Sequence, residues 1–205
     1  MSPNDLRGAL RALSERRPVF HSEADLQHEL AWLLRERGVS EVRLERPIYL
    51  PGEAINLDLL VLNGGERVAI ELKYWKRGRT LEVRSERFVL KNQAAQDISR
   101  YDFWWDVSRL ERLRAAGEIA RGYAVALASD PSYWRLGRAD TVDRAFRLHQ
   151  DRVVSGTLAW QGAGIGTTRG REDPIALHGT YTLDWSHYAE PAPDYELRAL
   201  MVPVG

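Results

Sequence analysis

Hydrophobic patterning along the 205 residues predicts an α/β fold: a mixed central sheet flanked by helices, with a β-rich C-terminal extension. Three observations predict it. Leu26, Leu30, Leu33 and Leu34 form a stripe at helical spacing. Residues 55–75, INLDLLVLNGGERVAIELKYW, set two β-rich runs around Asn63-Gly64-Gly65-Glu66, as a tight hairpin requires. Residues 121–129, RGYAVALAS, form a strongly apolar strand beyond a long helical pattern.

The elements follow in order. Ser2-Pro3 starts a first helix whose apolar stripe is Leu6, Ala9, Leu10 and Leu13. Residues 16–21 connect it to a second, with Ser22 as N-cap, Asp25 as the capping-box acid and Gly38 as the stop. Residues 41–50 alternate as a strand broken by Pro51-Gly52, and the hairpin comes next. Lys76 to Arg79 reads as a basic loop, residues 88–116 as a long helix, and residues 139–150 as another helix ending at His149. Residues 158–204 hold two or three strands, interrupted by GAGIGTTRGRED and PAPD. With no internal repeat or linker, residues 1–205 read as one domain, its core at about 20–130 and its extension at about 151–205.

Composition narrows the functional classes. Apolar content of 44% and charged content of 28% are ordinary for a globular protein. No apolar run approaches the ~20 residues of a membrane span, and the N-terminal residues lack the apolar core of a secretory signal. A cytoplasmic protein is expected. The absence of cysteine excludes disulfides, thiolate zinc sites and a cysteine nucleophile. A net charge of zero argues against a surface that is basic throughout. Residues 71–91 nevertheless carry seven basic and three acidic residues.

The hairpin raises the chemical question. Alternation gives each strand one apolar face, Leu57, Leu59 and Val61 on the first and Val68, Ile70, Leu72 and Tyr74 on the second. The opposite faces carry Asp58, Glu71 and Lys73. Buried charges are costly unless paired or used. On the preceding helix, Glu23 lies roughly 35° from the centre of the leucine stripe and Gln27 roughly 75°. Glu23 is thus the acid best placed to lean toward the sheet. Carboxylates converging beside a lysine suit a hard divalent cation, which takes oxygen ligands and keeps several waters. The lysine identity is informative, because only three of the 29 basic residues are lysine: Lys73, Lys76 and Lys91.

Asp58, twelve intervening residues, and Glu71-Leu72-Lys73 together resemble the D-x(n)-E-x-K signature of the PD-(D/E)XK, or restriction-endonuclease-like, nuclease superfamily. The element order resembles that superfamily's αβββαβ core, and Glu23 matches its acid in the first helix. The resemblance implies a Mg2+-dependent nuclease, with Mn2+ able to substitute, hydrolysing phosphodiester bonds of nucleic acid, DNA in most cases. It implies Glu23, Asp58 and Glu71 as metal ligands and Asp58, Glu71 and Lys73 as the catalytic set. Double-strand cleavage would require two sites, hence a homodimer or a protein partner. Leu57 stands where the motif has proline, and no glutamine of residues 93–101 is followed by tyrosine at the Gln-x-x-x-Tyr spacing of some branches.

Around this set, Gln27, Lys76, Arg77, Lys91, Gln93 and Gln96 are candidate substrate contacts, with Gln27 also supporting Glu23. Arg79 joins them as a phosphate contact. The aromatic run at residues 101–107 reads as core rather than a base-stacking platform. Gly162, Gly164 and Gly166 read as a turn with no helix after it. The five histidines show no ligand spacing, although His21 and His28 flank the site. The alternatives are a non-catalytic nucleic-acid-binding protein of the same fold, a metal-dependent phosphoesterase acting on small nucleotides, or a structural cross-strand ion pair at the hairpin.

Overall fold

The computed structural model describes residues 1–93 and 95–205. Two helices lead, α1 (Pro3–Arg16) and α2 (Glu23–Glu36). Ser2 and Asp5 close a reciprocal capping box on α1. On α2 the cap is single: the Ser22 hydroxyl accepts from the Asp25 N–H, while the Asp25 carboxylate accepts from His21 N–H instead of Ser22 N–H. Strands β1 (Glu41–Leu50), β2 (Glu53–Asn63) and β3 (Glu66–Trp75) form an antiparallel meander. The β2–β3 turn consists of Gly64 and Gly65 at φ 60° and 82°, the left-handed pair that lets a two-residue loop follow strand twist.

A small hairpin of β4 (Arg79–Val83) and β5 (Glu86–Leu90) precedes helix α3 (Gln96–Ala115) and strand β6 (Arg121–Ala128). The expected helix from residue 88 therefore begins eight residues later. Leu81, Phe88 and Leu90 are buried while their neighbours are exposed or half-buried, a two-residue period that overrides the helical reading. The helix expected at residues 139–150 is a single 3₁₀ turn, Arg144–Phe146. Arginine side chains here take up carbonyls: Arg152 donates to the Arg147 and Ala145 C=O groups, and Arg100 to that of Ser132. Strand β7 (Val153–Leu158), a one-turn helix α4 (Ile165–Thr168), and β8 (Ile175–Thr182), β9 (Trp185–Ala192) and β10 (Tyr195–Val204) complete the chain. A helical turn thus does follow Gly164, and residues 158–204 hold three strands, β8, β9 and β10, within the expected two or three.

The central sheet runs β1-β2-β3-β6-β10-β9, with β3 and β6 parallel and every other pair antiparallel. β9 and β10 therefore extend the central sheet, while β7 and β8 form a separate ribbon. The α1–α2 layer packs on one face through Leu6, Leu13, Leu26 and Leu30 against Val68, Ile70 and Leu72. On the other face, Trp104, Val107 and Leu110 of α3 pack with Ala69, Ala124 and Ala126, and the β7–β8 ribbon lies beyond. Tyr101, Phe103 and Trp104 are buried, so most of the aromatic run is core as expected. Leu57 departs from its expected face. It packs in the α3 layer, apart from Leu59 and Val61, because β2 turns away from β3 below Leu59.

Candidate active site

The turning of β2 builds the site. Its ladder with β3 runs from Leu59–Ile70 to Asn63–Glu66 and stops, while β3 continues to Trp75 with only β6 beside it. Main-chain N–H groups on the abandoned edge need acceptors. Leu72 N–H donates to Asp58 Oδ2 at 2.6 Å and Tyr74 N–H donates to Glu23 Oε2 at 2.8 Å. Two carboxylates from different elements are thereby drawn to one strand edge. On the other side of β2 the ladder with β1 omits the Glu45–Asp58 pair, and Glu45 adopts φ 50°. Gln27, only 7% exposed, spans this gap, donating to the Asp58 C=O at 2.7 Å and to Glu45 Oε1 at 2.8 Å. It supports Asp58 and the broken ladder, and not Glu23 as its helix position suggested.

Glu71 and Lys73 point from β3 toward α3. There they meet two residues that the sequence reading did not select. Lys73 Nζ lies 2.6 Å from Asp106 Oδ2. Arg109 bridges Asp106 Oδ1 at 3.0 Å and Glu71 Oε1 at 3.3 Å. Asp106 looks like ordinary helix polarity in the sequence. The available signal is its place three residues after Phe103 and four before Leu110, on the buried stripe itself.

Electrostatics bind these groups into one cluster. Glu71 is 3% exposed. Burial, reinforced by Asp106, pushes its carboxyl well above the usual range against the pull of Arg109. Burial likewise raises Asp106, against Lys73. Glu23 leaves much of its residue surface in solvent, yet its carboxylate leans inward, and desolvation raises it against the opposing Lys73 charge. For Lys73, burial disfavours the ammonium, but Asp106 and then Glu23 and Asp58 outweigh it and raise the pKa. Asp58 acts on all four of these groups. Full ionisation of Glu23, Asp58, Glu71 and Asp106 would exceed the two cations, Lys73 and Arg109, by two negative charges, and burial opposes that ionisation at Glu23, Glu71 and Asp106.

That excess and the oxygen donors fit a hard divalent ion. The second oxygens of Asp58 and Glu23 accept no hydrogen bond among the described residues, and Glu71 Oε1 is buried with no hydrogen-bond donor, only the Arg109 ion pair. No group of three acidic or histidine side chains is gathered for metal binding among the described residues. The three-carboxylate set expected of Glu23, Asp58 and Glu71 is thus not gathered among the described residues; Asp58 and Glu71 would remain to hold a Mg2+ ion, with water completing its shell.

The other predicted residues lie outside the cluster, each with its own surroundings. Lys76 donates to the His21 C=O at 2.9 Å and lies over the Tyr74 ring, within the field of Glu23. Arg77 is tied to the Asp194 C=O at 2.6 Å, by the β9–β10 turn, and Gln96 to Asp130 at 3.2 Å. Gln93 N–H donates to the Lys76 C=O, and Lys91 and Gln93 are exposed. Arg79 lies over the Tyr195 ring. His21 pairs with Glu86 at 2.8 Å and stacks on Phe88, while His28 is exposed. Asp58, Glu71, Lys73 and Glu23 come together; Lys76, Arg77, Arg79 and Gln96 are engaged in separate contacts, and the Lys91 and Gln93 side chains are exposed.

This is a mixed α/β protein with a buried carboxylate–lysine cluster at a broken hairpin. No family model matches the chain, and no curated protein or solved structure is significantly similar to it. No helix is long and apolar enough to cross a membrane.

Proposed function

We propose that the protein is a Mg2+-dependent nuclease of the restriction-endonuclease-like superfamily, hydrolysing phosphodiester bonds, with DNA as substrate. One observation carries the reading: β2 leaves β3 at Asp58, and the Asp58 carboxylate takes the vacated ladder position beside Glu71 and Lys73. An αβββαβ order with parallel β3 and β6 supports it. Asp58 and Glu71 would hold a divalent ion, which would supply hydroxide near neutral pH and offset charge developing on the phosphate. Lys73 orients the attacking water and offsets phosphate charge once substrate oxygens compete with Asp106 for its ammonium. Asp106 holds that ammonium at the site before substrate arrives. Glu23 fixes the β3 edge through the Tyr74 N–H. Lys76, Arg77, Arg79, Lys91, Gln93 and Gln96 line the path for the nucleic-acid backbone, where basic groups bind by displacing counterions.

A second reading has its own observation. Lys73 and Glu71 are already paired with Asp106 and Arg109, and both carboxylates from the neighbouring elements satisfy main-chain donors. A non-catalytic nucleic-acid-binding protein of the same fold would keep such a network. Supercoiled plasmid, linear single-stranded DNA, RNA and mononucleotides, each with EDTA, Mg2+ or Mn2+, separate the readings. The nuclease reading requires metal-dependent cleavage of a polymer. Metal-independent binding without cleavage supports the second reading, and turnover of mononucleotides alone moves the assignment to a small-molecule phosphoesterase.

A further inference from the structure

Away from the hairpin, the segment between β6 and β7, with Gln161 beyond β7, lines a solvent-open pocket of about 510 Å3. Arg138, Arg144, Arg147 and Arg152 line it with His149, and no carboxylate does. Four guanidinium groups around one void repel each other unless an anion joins them. Internal pairing does not remove that charge. Arg147 Nε approaches Asp143 at 3.3 Å, but Asp143 is shared with Arg100 at 2.6 Å. Arg152 spends its hydrogen bonds on the Arg147 and Ala145 carbonyls and meets no carboxylate among the described residues. Arg138 and Arg144 are exposed and form no side-chain hydrogen bond or ion pair among the described residues.

The cavity is built rather than incidental. A side chain at Gly137 would meet the Arg147 guanidinium at 2.5 Å, so glycine there leaves Arg147 its place in the wall. Arg147 also donates to the Thr141 hydroxyl, which fixes the plane of its fork. His149 Nδ1 and Arg147 Nε are buried with no hydrogen-bond partner among the described residues. Burial first, and then the neighbouring arginines, lower the pKa of His149 and Arg152, and the same pressures lower that of Arg147. Positive neighbours act on each of these groups, and Asp143 opposes them only in part at Arg147 and Arg152.

We propose that this cavity is a binding site for a phosphate group. Guanidinium forks match tetrahedral oxyanions through paired hydrogen bonds, and a dianion answers several arginines at once. The void exceeds a bare phosphate, and Leu136, Ala139 and Ala145 give it an apolar wall. The phosphate therefore arrives either free or as the terminal group of a nucleotide. This site stands independently of the reading of the hairpin cluster.

Calorimetric titration of the whole protein tests it, with inorganic phosphate and with AMP as probes, at constant ionic strength and with EDTA present. The paired variant Arg138→Ser/Arg144→Ser alters only exposed, unbonded side chains and leaves the melting temperature unchanged in phosphate-free buffer. Wild type binds phosphate saturably, and the variant loses at least tenfold in affinity. AMP binding more tightly than phosphate assigns the nucleotide source; equal affinities assign free phosphate. Absence of saturable binding of both probes, or undiminished binding by the variant, overturns the proposal.

Discussion

Lys73 and Asp106 illustrate how one pair can serve both stability and chemistry. Asp106 is 4% exposed, and among the described residues its carboxylate is held only by Lys73 and Arg109. Removing one member of a buried pair leaves the other uncompensated, at a cost of about 3–5 kcal/mol. Lys73 keeps some solvent contact, so Asp106→Ala should fall near the lower end of that range in urea unfolding. The same variant should lower the Lys73 pKa, since burial then acts with less opposition. A loss below about 0.5 kcal/mol would mean that the pair contributes no more than a surface ion pair. Asp143 provides a test on the acid side. Burial works to raise it, but Thr141, Arg100 and Arg147 prevail and hold it below the usual carboxylate value. A depressed folded-state pKa contributes stability that is complete above the unfolded value of about 3.9 and lost as pH falls through the folded one. Glu23, Glu71 and Asp106 act with the opposite sign, because their raised values favour the protonated folded state. Wild type minus Asp143→Asn isolates the first effect: the stability difference should shrink between pH 5 and 2. A constant difference across that window would contradict it.

At the scale of elements, the hairpin and the helix on each side of the sheet explain most of the site. The two-residue Gly64-Gly65 loop sets the β2–β3 register, and the departure of β2 then leaves the N–H groups of Leu72 and Tyr74 for Asp58 and Glu23. Asp58, Glu71, Lys73 and Glu23 were legible because strand alternation and helix angle are local geometry. Asp106 and Arg109 were not, because only tertiary packing turns their face of α3 toward β3. Residues 88–90 of β5 were read as the start of the helix, and β4 was not assigned, because short alternating runs of charge and aliphatic residues carry both periods weakly. Arg84 and Ser85, at φ 52° and 65°, make the β4–β5 turn without the glycine that would have marked it. Gly122 on β6 shows how closely α3 packs. A Cβ there would lie 2.9 Å from Leu110 Cβ. Gly122→Ala should destabilise by about 1–3 kcal/mol through overpacking, measured as a lower midpoint in chemical denaturation with unchanged slope. An unchanged midpoint would show that α3 shifts freely.

For the whole molecule, the α/β class and the order of the first seven major elements followed from hydrophobic period, while the place of the last third did not. Nothing local distinguishes a strand that extends a central sheet from one in a separate ribbon. β10 joins β6 through long-range pairing of Arg198–Val204 with Gly122–Ala128, and β7 with β8 stays apart. The six-stranded sheet that results covers both sides of the parallel β3–β6 pair and holds the carboxylate cluster between α2 and α3. The most direct test of the account is metal-dependent DNA cleavage by Asp58→Asn against wild type, with thermal melting of both. The amide oxygen of asparagine still accepts the Leu72 N–H, so the strand edge stays satisfied while one negative charge is lost. The account predicts melting temperatures within a few degrees and a loss of cleavage of roughly 100-fold or more. Equal cleavage by the two proteins, or a folded wild type that cleaves no nucleic acid with either Mg2+ or Mn2+, would contradict a catalytic role for the broken hairpin.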